Sequence, residues 1–172
     1  MKNILTTVLI YIGLLSLSGC FGYSQDDDVT YPPYQNLYEP ILITRAEFES
    51  SIELLPARTI VNSGKIYVKD TFLFINEVQE GFHIINNTNP ENPENIGFLK
   101  VIGSSDMSIK QNSIYIDNAS DLIALKFTDL FDAIEITKRI PNIFPNPFRA
   151  SPDFQQYYYE DDLIIIGWRL IN

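Results

Sequence analysis

Two copies of one strand pattern, about forty residues apart within residues 64–140, constrain this chain more than any other feature. The first copy reads Ile66-Tyr67-Val68-Lys69, then Phe72-Leu73-Phe74-Ile75-Asn76, Phe82-His83-Ile84-Ile85-Asn86 and Ile96-Gly97-Phe98-Leu99-Lys100-Val101. The second reads Met107-Ser108-Ile109-Lys110, then Ser113-Ile114-Tyr115-Ile116-Asp117, Leu122-Ile123-Ala124-Leu125-Lys126-Phe127 and Ile134-Glu135-Ile136-Thr137. Lys69 and Lys110 are 41 residues apart and Asn89 and Asp129 are 40 apart, so the registers agree to within a residue. β-Branched and aromatic residues suit a pleated surface, and the Asn, Asp, Gly and Pro between the runs supply turns. Each copy therefore predicts an antiparallel four-stranded meander, with a period in the range of blade-type repeats. The expected class is all-β: two blade-like four-stranded repeats, at about 64–103 and 104–140, with flanking strands and one short helix.

The chain around the repeats reads as delivery and docking. Lys2 precedes an apolar stretch, residues 4–17, that has the length of a signal-peptide core and is short for a membrane-spanning helix. It ends in Leu17-Ser18-Gly19-Cys20, which resembles the lipobox of bacterial lipoproteins. That resemblance implies removal of residues 1–19 and a diacylglycerol thioether on Cys20, the membrane partner of the chain. Acyl chains worth ~0.8 kcal/mol per buried CH₂ make such an anchor stable. Phe21 is not the Asp that retains many lipoproteins at the inner membrane, so the outer membrane is the expected location, on its periplasmic or its external face. Residues 20–40 contain Gln25-Asp26-Asp27-Asp28 and Tyr31-Pro32-Pro33-Tyr34, the composition of a solvated tether. The acidic run is similar to a surface-export signal of some Gram-negative lipoproteins; a plain soluble linker is the alternative, and no EF-hand spacing follows it.

The β domain is expected over residues 41–172. Ile41-Leu42-Ile43 predicts a strand, and Thr44-Arg45-Ala46-Glu47 before Phe48 has the form of a capping box. Prolines 141, 145, 147 and 152 predict an irregular loop packed by Ile143, Phe144 and Phe148. Leu163-Ile164-Ile165-Ile166-Gly167-Trp168-Arg169-Leu170 predicts a last strand, whose continuous apolar run implies burial on both faces.

Gly81-Phe82-His83-Ile84-Ile85-Asn86-Asn87-Thr88-Asn89-Pro90, followed by Asn92-Pro93 and Ile96-Gly97, resembles the LVIVD repeat of bacterial β-propeller proteins. The second copy keeps residues 122–127 and Thr128-Asp129 but has Leu130 at the corner proline's place. The resemblance spans roughly residues 38–140 and implies architecture only, since the signature residues are turn formers and core aliphatics. Propellers close with four to eight blades, and this chain supplies about two. Terminal strands covering the sheet edges, a ring completed by several chains, and a shortened relative of a longer protein are the three resolutions. The first is expected, with residues 41–43 and 163–170 as edge covers.

The formal net charge of −10 argues against nucleic acid as a partner. One His and one Cys give no zinc-ligand set, and no phosphate loop or other cofactor motif is present. No Ser or Cys stands in a nucleophile motif, and His83 lies inside a strand. Asp117 and Asp121 flank a turn; they read as turn residues, and an enzyme would need them to converge on a pocket as an acid–base pair. The expectation is a non-catalytic binding or scaffold module of the envelope. Tyr157, Tyr158, Tyr159 and Trp168 are the candidate surface for a protein or glycan, against the alternative that these rings simply pack the core.

Overall fold

A computed structural model describes residues 37–128, 132–154, 156–160 and 162–171. The expected signal peptide, Cys20, nearly all of the expected tether and the Asp129-Leu130 corner lie outside the described residues. Residues from 37 onward belong to one compact unit.

The class is all-β, with antiparallel sheets and one short helix. β1 (Tyr38–Thr44) leads into α1 (Arg45–Ser50), and β2 (Glu53–Leu55) follows. The first repeat forms β3 (Ser63–Lys69), β4 (Phe72–Glu77), β5 (Gly81–Asn86) and β6 (Glu94–Lys100). The second forms β7 (Met107–Lys110), β8 (Ser113–Asn118), β9 (Asp121–Phe127) and β10 (Ile134–Ile140), and β11 (Leu163–Leu170) closes the chain.

The capping box forms as read. The Thr44 hydroxyl oxygen accepts from the Glu47 amide at 3.3 Å, while the Glu47 carboxylate accepts from the Thr44 amide at 2.8 Å. These bonds satisfy donors that a helix start leaves open. Phe48 is the buried residue of α1, with the Arg45 and Arg139 guanidiniums 5.7 and 5.4 Å from its ring centre.

Each repeat is a meander, but the first gains a strand: the order is β2-β6-β5-β4-β3, against β10-β9-β8-β7 for the second. The two sheets bury one face each against the other. Tyr67, Phe74, Phe82, Ile84 and Leu99 of the first meet Met107, Ile109, Ile114, Ile116, Ile123 and Leu125 of the second. The β3–β4 and β7–β8 turns superimpose at a spacing of 41, Lys69 pairing with Phe72 and Lys110 with Ser113. Asp70 and Gln111 open these turns at φ 55° and 56°. At that spacing Tyr67 and Phe74 correspond to Ser108 and Tyr115, which point away from the core, whereas Met107 and Ile109 correspond to the exposed Ile66 and Val68. Side chains alternate across a strand, so one residue of difference means opposite faces. The sheets thus stack front to back.

Each outer face is partly covered by its own chain. Residues 56–62 cross from β2 to β3 over the face that carries Ile75, His83 and Phe98. Arg58 lies 3.9 Å above the Phe98 ring centre, and the Arg58 carbonyl accepts from Asn95. Glu77, buried beneath this strap, accepts from the Val61 and Asn62 amides and from His83 Nε2 at 2.9 Å. Burial alone would raise the Glu77 pKa, but these three donors outweigh it and hold it below the usual value. On the second sheet, Phe144, Pro145 and Pro147 stand over Tyr115, Asp117 and Leu122.

Three expectations are corrected. β1 and β11 do not cover sheet edges; they pair with each other as a separate two-stranded ribbon, joining Tyr38 to Leu170 and Thr44 to Leu163. The edge of β6 is covered instead by β2, a three-residue strand too short to stand out in sequence. β11 is not buried on both faces: it lies in a two-stranded ribbon outside the two larger sheets, and only Ile165 is fully buried. The proline-rich loop is irregular as expected, but Ile143 and Phe144 are exposed. Their amides, bonded to the Ser120 carbonyl at 2.8 and 2.9 Å, fix the loop.

Candidate aromatic binding site

The β1–β11 ribbon and the loop before it build the site. In the loop, Asn146 donates to the Ile165 carbonyl at 3.1 Å and accepts from the Phe148 amide at 2.9 Å, tying the loop to β11. Trp168 Nε1 donates to the Phe148 carbonyl at 2.9 Å, which fixes the indole over the loop. Tyr157 packs on that indole with ring centres 4.9 Å apart, and its hydroxyl donates to the Tyr38 carbonyl and lies 3.2 Å from Asp153. Partial burial, and then the Asp153 charge, push the Tyr157 phenol above its ordinary value, so it remains a neutral donor. Asp153 also accepts from the Leu37 amide at 3.0 Å.

Upon this bonded base stand two largely solvated rings. Tyr158 is 95% exposed and Phe154 is 90% exposed. Phe154 has φ 57°, a conformation that costs a bulky L residue energy and that a turn bond from its amide to the Ser151 carbonyl holds in place. With Arg149, Gln156, Tyr159 and Ile165 these residues line an open cleft of about 430 Å³. Among the described residues Arg149 has no ion pair, and it also borders a neighbouring polar cleft lined by Arg45, Asn142 and Asp162.

The four residues singled out in the sequence are therefore brought together, but in two roles. Tyr157 and Trp168 are half-buried and bonded into the scaffold; Tyr158 projects fully and Tyr159 in part. Phe154 and Arg149 were missed. The available signal was a Phe placed among Pro152, Asp153, Gln155 and Gln156, where no apolar neighbour offers to bury it.

Asp117 and Asp121 do not converge. Asp117 accepts from the Ser105 and Asp106 amides, each at 2.8 Å, beside an outer-face cleft of about 510 Å³. The Asp121 side chain is 0% exposed and sits between two guanidiniums, 2.5 Å from Arg45 and 2.7 Å from Arg139, with the Asn142 amide as a further donor. Burial would raise its pKa; Arg45 and then Arg139 lower it, and the lowering wins. A carboxylate so held stays ionised at neutral pH and has no proton to give. Among the described residues no cluster of His, Cys, Asp and Glu has a metal-binding arrangement.

No protein-family model, curated protein or solved structure matches the chain.

Proposed function

We propose that this chain is a lipid-anchored, non-catalytic binding module of the bacterial envelope, with a propeller-like pair of LVIVD-type repeats as scaffold and the aromatic cleft as its binding surface. The observation that carries the reading is the pairing of a hydrogen-bonded Tyr157–Trp168 base with two almost wholly solvated rings, Phe154 and Tyr158. Exposed aromatic surface on a rigid support costs hydration in the free protein and little entropy on binding, so it favours a partner. Aromatic residues and Arg are also the residue types that dominate the energetic centres of protein interfaces, and Arg149 stands at this one. The partner it fits best is another envelope protein.

Photo-crosslinking in intact cells tests this reading. A benzoylphenylalanine at position 158 is expected to give one discrete protein adduct, while the same probe at Glu91, exposed in the corner between β5 and β6, gives none. An unchanged pattern at both positions, or adducts to glycan alone, would remove the proposed partner class.

A further inference from the structure

The front-to-back stacking of the two sheets leaves two outer faces, and their residues are not arbitrary. Ile66, Val68, Leu73, Ile75, His83 and Ile85 form the outer face of the first sheet. Their repeat equivalents are Met107, Ile109, Ile114, Ile116, Ile123 and Leu125, the buried face of the second sheet. Five of the six outer positions are thus aliphatic, the composition of a face that packs on another sheet. The strap at 56–62 covers the His83 side, but Ile66 and Val68 remain 61% and 67% exposed on β3, whose other edge pairs with no strand among the described residues.

The opposite end of the stack carries the matching half. Ser108, Tyr115, Leu122 and Ala124 on the outer face of the second sheet are the equivalents of Tyr67, Phe74, Phe82 and Ile84, the surface on which the second sheet packs within the chain. The cleft of about 510 Å³ lies there, with Tyr115 at the place of the fully buried Phe74 and the Phe144–Pro145 wall at one side. Ser108 and Tyr115 are open to solvent.

We infer that the β3–β4 face of one copy docks on the β7–β8 face of a second copy, repeating between molecules the contact that joins the two sheets within each. The occupant is another copy because the uncovered parts of the two outer faces, Ile66 and Val68 on β3 and Ser108 and Tyr115 on β7 and β8, correspond position by position to Met107 and Ile109 on one side, and Tyr67 and Phe74 on the other, of the interface already built. Such a contact is heterologous: each copy keeps an uncovered patch of each kind, so association continues beyond a dimer, into a ring if the rotation closes and into an open filament if it does not. The intramolecular contact also predicts which residues meet. Tyr67 packs against the start of β7, its hydroxyl 2.6 Å from Asp106, with the Met107 amide beside it. The equivalents of Tyr67 and Met107 are Ser108 and Ile66, so Ser108 of one copy lies beside Ile66 of the next.

The test is thiol crosslinking of the full chain in its membranes with a short bismaleimide that spans one side-chain layer, with the wild type, whose one Cys is Cys20, as background. The double variant Ile66→Cys with Ser108→Cys is expected to yield dimers, trimers and higher species with the bismaleimide, while either single variant matches the wild type. Both positions are exposed, so the fold is expected to be kept, and circular dichroism of the reduced variants checks it. A dimer from Ile66→Cys alone would mean symmetric pairing of first sheets and would overturn the proposal. So would a double variant that folds and stays monomeric, or one that links only to other proteins.

Discussion

At the scale of single residues, two buried carboxylates hold covering segments in place. Asp121 joins Arg45 of α1 to Arg139 of β10 and to the Asn142 amide, so one side chain locks the helix, an edge strand and the following loop. Glu77 does the same for the strap at 56–62, through two amides and His83. Neither role was legible in sequence, because the partners of Asp121 lie 76 and 18 residues away and nothing local marks them. Both carboxyls have pKa values below their ordinary ones, so their contribution is complete above about pH 5 and is lost as pH falls through the lowered folded values. Thermal stability is therefore expected to be flat from pH 5 to 8 and to fall steeply below about pH 4. Asp121→Asn, which leaves the Arg139 charge without its carboxylate in a poorly solvated site, is expected to cost about 3 kcal/mol at pH 7, less as pH drops. Urea titrations of both forms at pH 7 and pH 3.5 check this; an equal loss at both values would contradict the charge-based account.

At the scale of elements, turn chemistry and strand pattern were readable, and their phase was not. The capping box, the eight strands of the repeats and both meander orders follow from local composition, since Thr44, Glu47 and the Asn, Asp and Gly breakers act within a few residues of themselves. Which face each meander buries depends on a one-residue parity between Ile66 and Tyr67, or between Met107 and Ser108, and apolar residues occupy both parities in the first repeat. Only packing decides it. The aromatic site was half legible: Tyr157, Tyr158, Tyr159 and Trp168 stand out as a group, but Phe154 becomes a site residue only through its turn. Gly81 shows a local requirement most sharply. It begins β5 at φ 149°, and a Cβ there would lie 2.0 Å from the Leu99 carbonyl oxygen of the neighbouring strand. Gly97, by contrast, has its nearest neighbour at 3.4 Å. Gly81→Ala is expected to destabilise the chain by roughly 3 kcal/mol or more, through a clash that forces β5 and β6 apart, and Gly97→Ala by under about 1 kcal/mol. Chemical denaturation of the pair checks the contrast; similar values would mean that the β5–β6 register yields easily.

At the scale of the whole molecule, the entry of the chain and the aromatic cleft belong to the same corner. The Leu37 amide bonds to Asp153 and the Tyr38 carbonyl accepts from Tyr157, so the described chain begins at the base of the cleft. If Cys20 carries lipid, the seventeen residues from there to Leu37 limit the distance between anchor and cleft to about 60 Å, at ~3.5 Å per residue. A surface held within that reach of the membrane meets membrane-bound partners at high effective concentration, so modest contact energy from Phe154 and Tyr158 suffices for association. The anchor and the binding surface are then one device, and Cys20→Ala separates them. The variant is expected to lose incorporation of radiolabelled palmitate completely, and to lose most of the adduct formed by a photo-crosslinker at position 158. Its circular dichroism should be unchanged, since Cys20 lies before the β domain. Equal palmitate labelling of variant and wild type would remove the anchor. Full loss of label with an undiminished adduct would keep the anchor but show that the partner is bound through affinity alone.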